Sequence, residues 1–228
     1  THNFPYIMKL FRNEAFIFEN PVPFPERHGK DGYFAGEGEM VMLRPGRHQW
    51  ETNFVPDVNT TLLYSWKERG AGGSNIFFEL AHNSMGAHIS QFPVGTYKKA
   101  HRHGPGRLIV IPGGEGFSVM WPEGGEKKVY PWHEGSALTP PNQWYHQHFN
   151  VANGPSRYLV FGFGGARYPV LESKFQGYEN MDRSQSEGGH QVEYENEDPR
   201  ILQLFDKELA QRGLPSKMGD FAKARATA

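Results

Sequence analysis

From about residue 61 to 165 the chain is cut into short pieces by turn-forming clusters: Gly70–Gly73, Gly104–Gly106, Pro112–Gly114, Pro122–Gly125 and Asn153–Pro155. Gly supplies the positive φ and Pro the fixed φ that tight turns need, so neither tolerates a long helix running through them. The runs between the clusters are brief and rich in β-branched and aromatic residues. We read strands at Thr61–Tyr64, Asn75–Leu80, Gly86–Phe92, Tyr97–Arg102, Arg107–Ile111, Phe117–Met120, Lys127–Tyr130, Ser136–Leu138, Trp144–Asn150 and Arg157–Phe163. Many short strands at such spacing predict an all-β sandwich or barrel. Leu108–Ile111 is apolar throughout, which predicts a strand covered on both faces.

The flanks differ from this middle. Residues 1–60 hold short apolar stretches such as Ala15–Phe18 and Met40–Leu43, each ended by Pro or Gly, and read as an extended N-terminal arm with short strands packing on the barrel. Residues 166–228 form a charged tail in which Ser184–Gly189 is a loop. Asp198 followed by Pro199 opens a helix over about 199–212; Ile201, Leu204, Phe205 and Leu209 make its apolar face, and Gly213 stops it. Residues beyond about 216 are expected to fray.

The 228 residues suffice for one domain with extensions. A net charge of −1 and the lack of any basic run argue against a nucleic-acid or anionic-membrane partner. No apolar run is long enough to span a bilayer, and no signal-type core opens the chain, so we expect a cytoplasmic protein. The chain starts at Thr1 rather than Met, which suggests further sequence upstream. With no Cys, thiolate ligands and thiol catalysis are excluded.

The chemistry points to histidine. His101-Arg102-His103 and His146-Gln147-His148 each place imidazoles two residues apart, on one face of a strand. Neutral imidazoles from two strands can hold one first-row transition ion.

The two segments resemble the paired motifs of the cupin superfamily. In the first motif, Gly95, His101, His103 and Gly114 match, with Arg107 where a Glu is usual; in the second, Gly135, Pro141, His146 and Asn150 match, with Gln143 where a Gly is usual. The resemblance covers roughly 75–165. It implies a double-stranded β-helix (jelly-roll) barrel around a mononuclear metal site, with the arm and the C-terminal helix as additions; it does not imply one reaction, since the superfamily includes dioxygenases, isomerases, lyases, decarboxylases and binding proteins. A homodimer is likewise a family expectation.

Because Arg107 cannot ligate, His148 is our choice as fourth ligand, giving a site of His101, His103, His146 and His148. A three-His site, with His148 contacting substrate, is the competitor. Arg107 and Gln143 are candidates to orient substrate, and Trp121, Trp132, Trp144, Tyr145 and Phe149 to line the pocket. His88 reads as polar lining and the other histidines as surface. We expect one divalent ion, Fe(II) first and Mn, Cu, Ni or Zn as alternatives. The leading reading is a dioxygenase-type enzyme that takes O2 and a small anionic or chelating organic substrate. A non-redox isomerase, lyase or decarboxylase using Glu79 or Glu51 as base is the alternative, and a non-catalytic binding protein the third. Ordinary imidazoles would release metal as pH falls through about 6.5.

Overall fold

The computed structural model describes residues 38–44, 46–52, 54–80, 85–104, 107–163 and 180–222. Ala15–Phe18 and the tip of the 104–106 turn lie outside them. Among the described residues there are eleven strands: Glu39–Arg44 (β1), Arg47–Thr52 (β2), Tyr64–Ser65 (β3), Ser74–Leu80 (β4), Met85–Phe92 (β5), Arg107–Gly113 (β6), Glu115–Trp121 (β7), Lys128–His133 (β8), Ala137–Leu138 (β9), Tyr145–Asn150 (β10) and Ser156–Phe163 (β11). Two helices follow, Pro199–Gln211 (α1) and Gly219–Ala222 (α2).

The strands form two sheets. One has the order β1-β2-β4-β5-β11-β6-β9, with β3 added on β4; the other is β10-β7-β8. From β6 onward the chain visits the large sheet, the small sheet twice, then large, small and large again. That alternation winds two sheets around a common interior, which is the double-stranded β-helix. The barrel is therefore all-β with a C-terminal helix added. Part of the arm joins it, since β1 and β2 form a hairpin and β2 pairs in parallel with β4.

Strand parity separates interior from exterior. Phe117 and Val119 of β7 and Phe149 of β10 cluster with Ile201, Phe205 and Leu209, so α1 covers the outside of the small sheet. Phe92, Ile109, Ile111, Trp132, Tyr158 and Val160 fill the space between sheets. Helix α1 begins as anticipated: the Asp198 carboxylate accepts the Arg200 N–H at 3.0 Å, and Gly213 beyond the last turn has φ 68°.

Several strand expectations are corrected. Tyr97–Arg102 is no continuous strand; Tyr97 and His101 make isolated bridges to Phe149 and His146, while the Lys99 and Arg102 N–H groups go instead to Arg69 O and His190 O. The 61–64 segment contributes only Tyr64 to a strand, because Asp57 ties residues 57–61 into a turn. Leu108 is 44% exposed, so β6 is covered on one face only. The chain past 216 does not fray at once: Met218 is buried against the α1 cluster and α2 follows.

Candidate metal centre

Strand β10 is buried at all six positions and presents alternate residues to opposite sides. His146 and His148 face the barrel interior; Phe149 packs under α1 and the Gln147 amide donates to Glu197 on the outside. His101 lies beside His146 through a reciprocal backbone pair, His101 N to His146 O at 3.1 Å and His146 N to His101 O at 2.9 Å. This pairing sets the two rings 4.3 Å apart, with the His103 ring 4.8 Å from His146.

His101, His103 and His146 form a group whose ligand atoms all lie within 4.8 Å of one another. His103 Nδ1 donates to Gly104 O at 2.8 Å and His146 Nδ1 to Trp144 O at 3.1 Å. A carbonyl only accepts, so each of these rings carries its proton on Nδ1 and leaves the Nε2 lone pair for a ligand bond. His101 Nδ1 is buried without a hydrogen-bond partner among the described residues. Three rings with unused lone pairs at this separation suit one transition ion.

His148 stands next in line, its ring 5.7 Å from that of His146, and lies outside the close group. Its Nδ1 meets Ser118 Oγ at 2.7 Å, and the same oxygen accepts the Trp132 indole N–H at 3.1 Å. If Ser118 donates its one proton to Nδ1, His148 shows an N–H to the cavity and is a donor, not a ligand. The opposite tautomer would free Nε2 for ligation.

The protons of these rings are held off by their surroundings. Burial lowers His146 to about 4, with the Arg69 charge adding to it. Burial also holds His101, His103, His148 and His88 well below the ordinary imidazole value, with neighbouring imidazoles and arginines contributing. The imidazoles are thus neutral, the form that ligates.

The rings open on a cavity of about 50 Å³. Arg107 lines it, on the same face of β6 as Ile109; Gln143 does not, and instead sits in the turn before β10, its N–H donating to His103 O at 3.0 Å. His88 lines it too, as polar lining. The aromatic walls are Trp66, Phe77 and Tyr158, not the five rings expected. Trp121 and Tyr145 border a separate groove near the start of α1. Among the remaining histidines, His48 and His190 are half-buried rather than on the surface, and His133 is exposed. No carboxylate is among the cavity-lining residues described. Glu79, on the same face of β4 as Phe77, is buried at 1% exposure but does not reach the lining.

Sequence reasoning missed two cavity residues, Arg47 and Arg69. Both are buried, both lie over the Trp66 ring (4.3 and 4.8 Å), and both bond the Asp182 carboxylate. Nothing in their local sequence marks them, because Arg47 opens a strand after a Pro-Gly turn and Arg69 ends a charged run. Lys98 was missed as well: it is 2% exposed, donates to Ser90 Oγ beneath Tyr158, and burial pulls its ammonium well below the usual lysine range.

No protein-family model matches the chain. No curated protein matches it. Solved structures similar to it include the plu4264 protein from Photorhabdus luminescens, at 11% identity and TM-score 0.40, covering 50% of this chain and 89% of that one. The cupin domain of Cnp3 from Schizosaccharomyces pombe is similar at 12% identity and TM-score 0.38, covering 47% and 72%. Oxalate decarboxylase from Bacillus subtilis is similar at 14% identity and TM-score 0.36, with 40% of this chain and 25% of that one covered. The chain thus spans about a quarter of that decarboxylase. The fold rests on the strand order itself, not on these likenesses.

Proposed function

We propose that this chain is a metal-dependent enzyme of the cupin superfamily, of the dioxygenase type, acting on a small anionic organic molecule. The observation that carries the reading is the convergence of His101, His103 and His146, two of them with Nδ1 already committed to a carbonyl, in a cavity that also receives arginine. The three imidazoles hold the ion, with His148 as fourth ligand or as a donor to substrate. When bound, a redox-active ion such as Fe(II) supplies Lewis acidity and electrons for O2 chemistry.

The chain's own residues do the rest. Neutral ligands leave the ion's charge uncompensated, and Arg47, Arg69 and Arg107 add cationic donors, so the cavity favours an enolate, phenolate or carboxylate. Trp66, Phe77 and Tyr158 exclude water from the reacting group, which strengthens every charge interaction there.

Metal analysis of the purified protein, with an oxygen electrode and a panel of diketones, catechols and phenylpropenoids, tests this. Near-stoichiometric metal and metal-dependent oxygen uptake are expected. Stoichiometric metal with no uptake would transfer the assignment to Lewis-acid catalysis. Failure to bind metal even on reconstitution would sink the enzyme reading.

A further inference from the structure

Arg47 comes from β2, Arg69 from the turn after β3, and Asp182 from the segment 180–192 that follows the barrel. The two guanidinium groups take one carboxylate oxygen each, Arg47 on Oδ2 and Arg69 on Oδ1. Their side chains are 4% and 2% exposed and that of Asp182 is 13%, so the carboxylate caps the pair from the outer side. Behind them lies the cavity holding His101, His103 and His146.

The 180–192 segment is a closed loop beside this mouth, its two ends joined by main chain: His190 N donates to Asn180 O at 3.0 Å and Gln191 N to Arg183 O at 2.9 Å. Its far end is fixed by main chain: Arg102 N donates to His190 O at 3.1 Å and Val192 N to Ala100 O at 2.8 Å. Its near end is fixed to the cavity wall through Asp182 and through Met181 O, 3.5 Å from Arg69 Nη1, and Met181 itself lines the cavity. With Met181 and Asp182 in place, about 50 Å³ remains. That volume holds a few water-sized groups. An organic substrate of ordinary size needs several times more.

We propose that Arg47 and Arg69 are the carboxylate-binding pair of this cavity and that Asp182 is its built-in occupant, which a substrate carboxylate displaces, freeing the Asp182 side chain and Met181 from the cavity wall. The inference rests on the reading of the cavity as the substrate site. Exchange of one carboxylate for another keeps the same oxygens on the same donors, so two buried cations are never left without an anion. A neutral amide or alcohol cannot make that exchange. The pair therefore selects a carboxylate over its uncharged analogues, and entry of substrate is coupled to opening of the mouth.

The test is acetate binding to the 228-residue chain at constant ionic strength, followed by calorimetry, with acetamide as the uncharged control. Asp182→Asn removes the internal competitor and is expected to tighten acetate at least tenfold while acetamide stays weak. Adding Arg69→Gln to that variant should abolish the gain. Binding by Asp182→Asn no tighter than by wild type, or a double variant that keeps the gain, would overturn the proposal. Amide exchange on the wild-type protein decides it even if Asp182→Asn does not fold. Exchange at 180–183 should accelerate with saturating acetate relative to chloride, and unchanged or slower exchange refutes displacement. Run on chelated protein, the titration is independent of the metal reading, so either can fail while the other stands.

Discussion

Gln143 occupies the left-handed region at φ 60°, where a Cβ is strained and where the resembled motif has glycine. Gly95 and Gly135, which open the two motifs, have φ 72° and 84°. Gln143→Gly should therefore raise stability, by about 1 kcal/mol, read from a urea or thermal transition. It should leave metal binding unaltered, because the Gln143 hydrogen bond to His103 is made by the backbone. The close three-His group gives a sharper expectation. His101→Ala or His146→Ala should lose bound metal by elemental analysis, whereas His148→Ala should retain it if Ser118 donates to Nδ1 and lose part of it if His148 ligates. The histidines were legible because spacing two in a strand is a local signal. Arg47 and Arg69 were not, since what places them is the meeting of segments 113 and 135 residues away from them in sequence, at Asp182.

Among the elements, α1 was readable from its cap and its apolar stripe, and its partner was not. Phe205 has no exposed surface and packs edge-on to Tyr97 at 5.0 Å and against Phe149 at 5.8 Å. Phe205→Ala should cost about 3–5 kcal/mol in chemical denaturation, the range for emptying an aromatic core position. Asp198→Ala, which removes the cap together with ion pairs to Lys127 and Arg200, should cost about 1–2 kcal/mol. The strands from 74 to 163 were found within a few residues, because turn residues bound them. The 97–102 segment failed as a strand for a reason invisible locally: its hydrogen bonds are shared among β10, the Arg69 turn and the 190–192 segment, so no single ladder forms.

For the molecule as a whole, the buried imidazoles tie stability to pH. In the unfolded chain His146 takes its proton near 6.5, while in the folded protein it stays neutral down to about 4. Between those values the unfolded state binds more protons. Metal-free protein should then be level above about 6.5 and lose up to about 1.4 kcal/mol per pH unit from His146 on acidification, the loss from that residue complete near 4. Denaturation midpoints across pH 4 to 8, with and without a chelator, would show it. The same depression lowers the expected point of release: metal should survive passage through 6.5 and leave only at lower pH, where protons compete for these rings.

Strand β10 has no solvent-facing side: His146 and His148 serve the cavity, Phe149 packs under α1 and Gln147 bonds Glu197. Every position on it answers to two neighbours at once, chemistry within and packing without. A saturation-mutagenesis map of the chain should therefore show its deepest trough at 145–150. Variants at 145, 147 and 149 should fail by lost abundance, and those at 146 and 148 by lost activity at normal abundance.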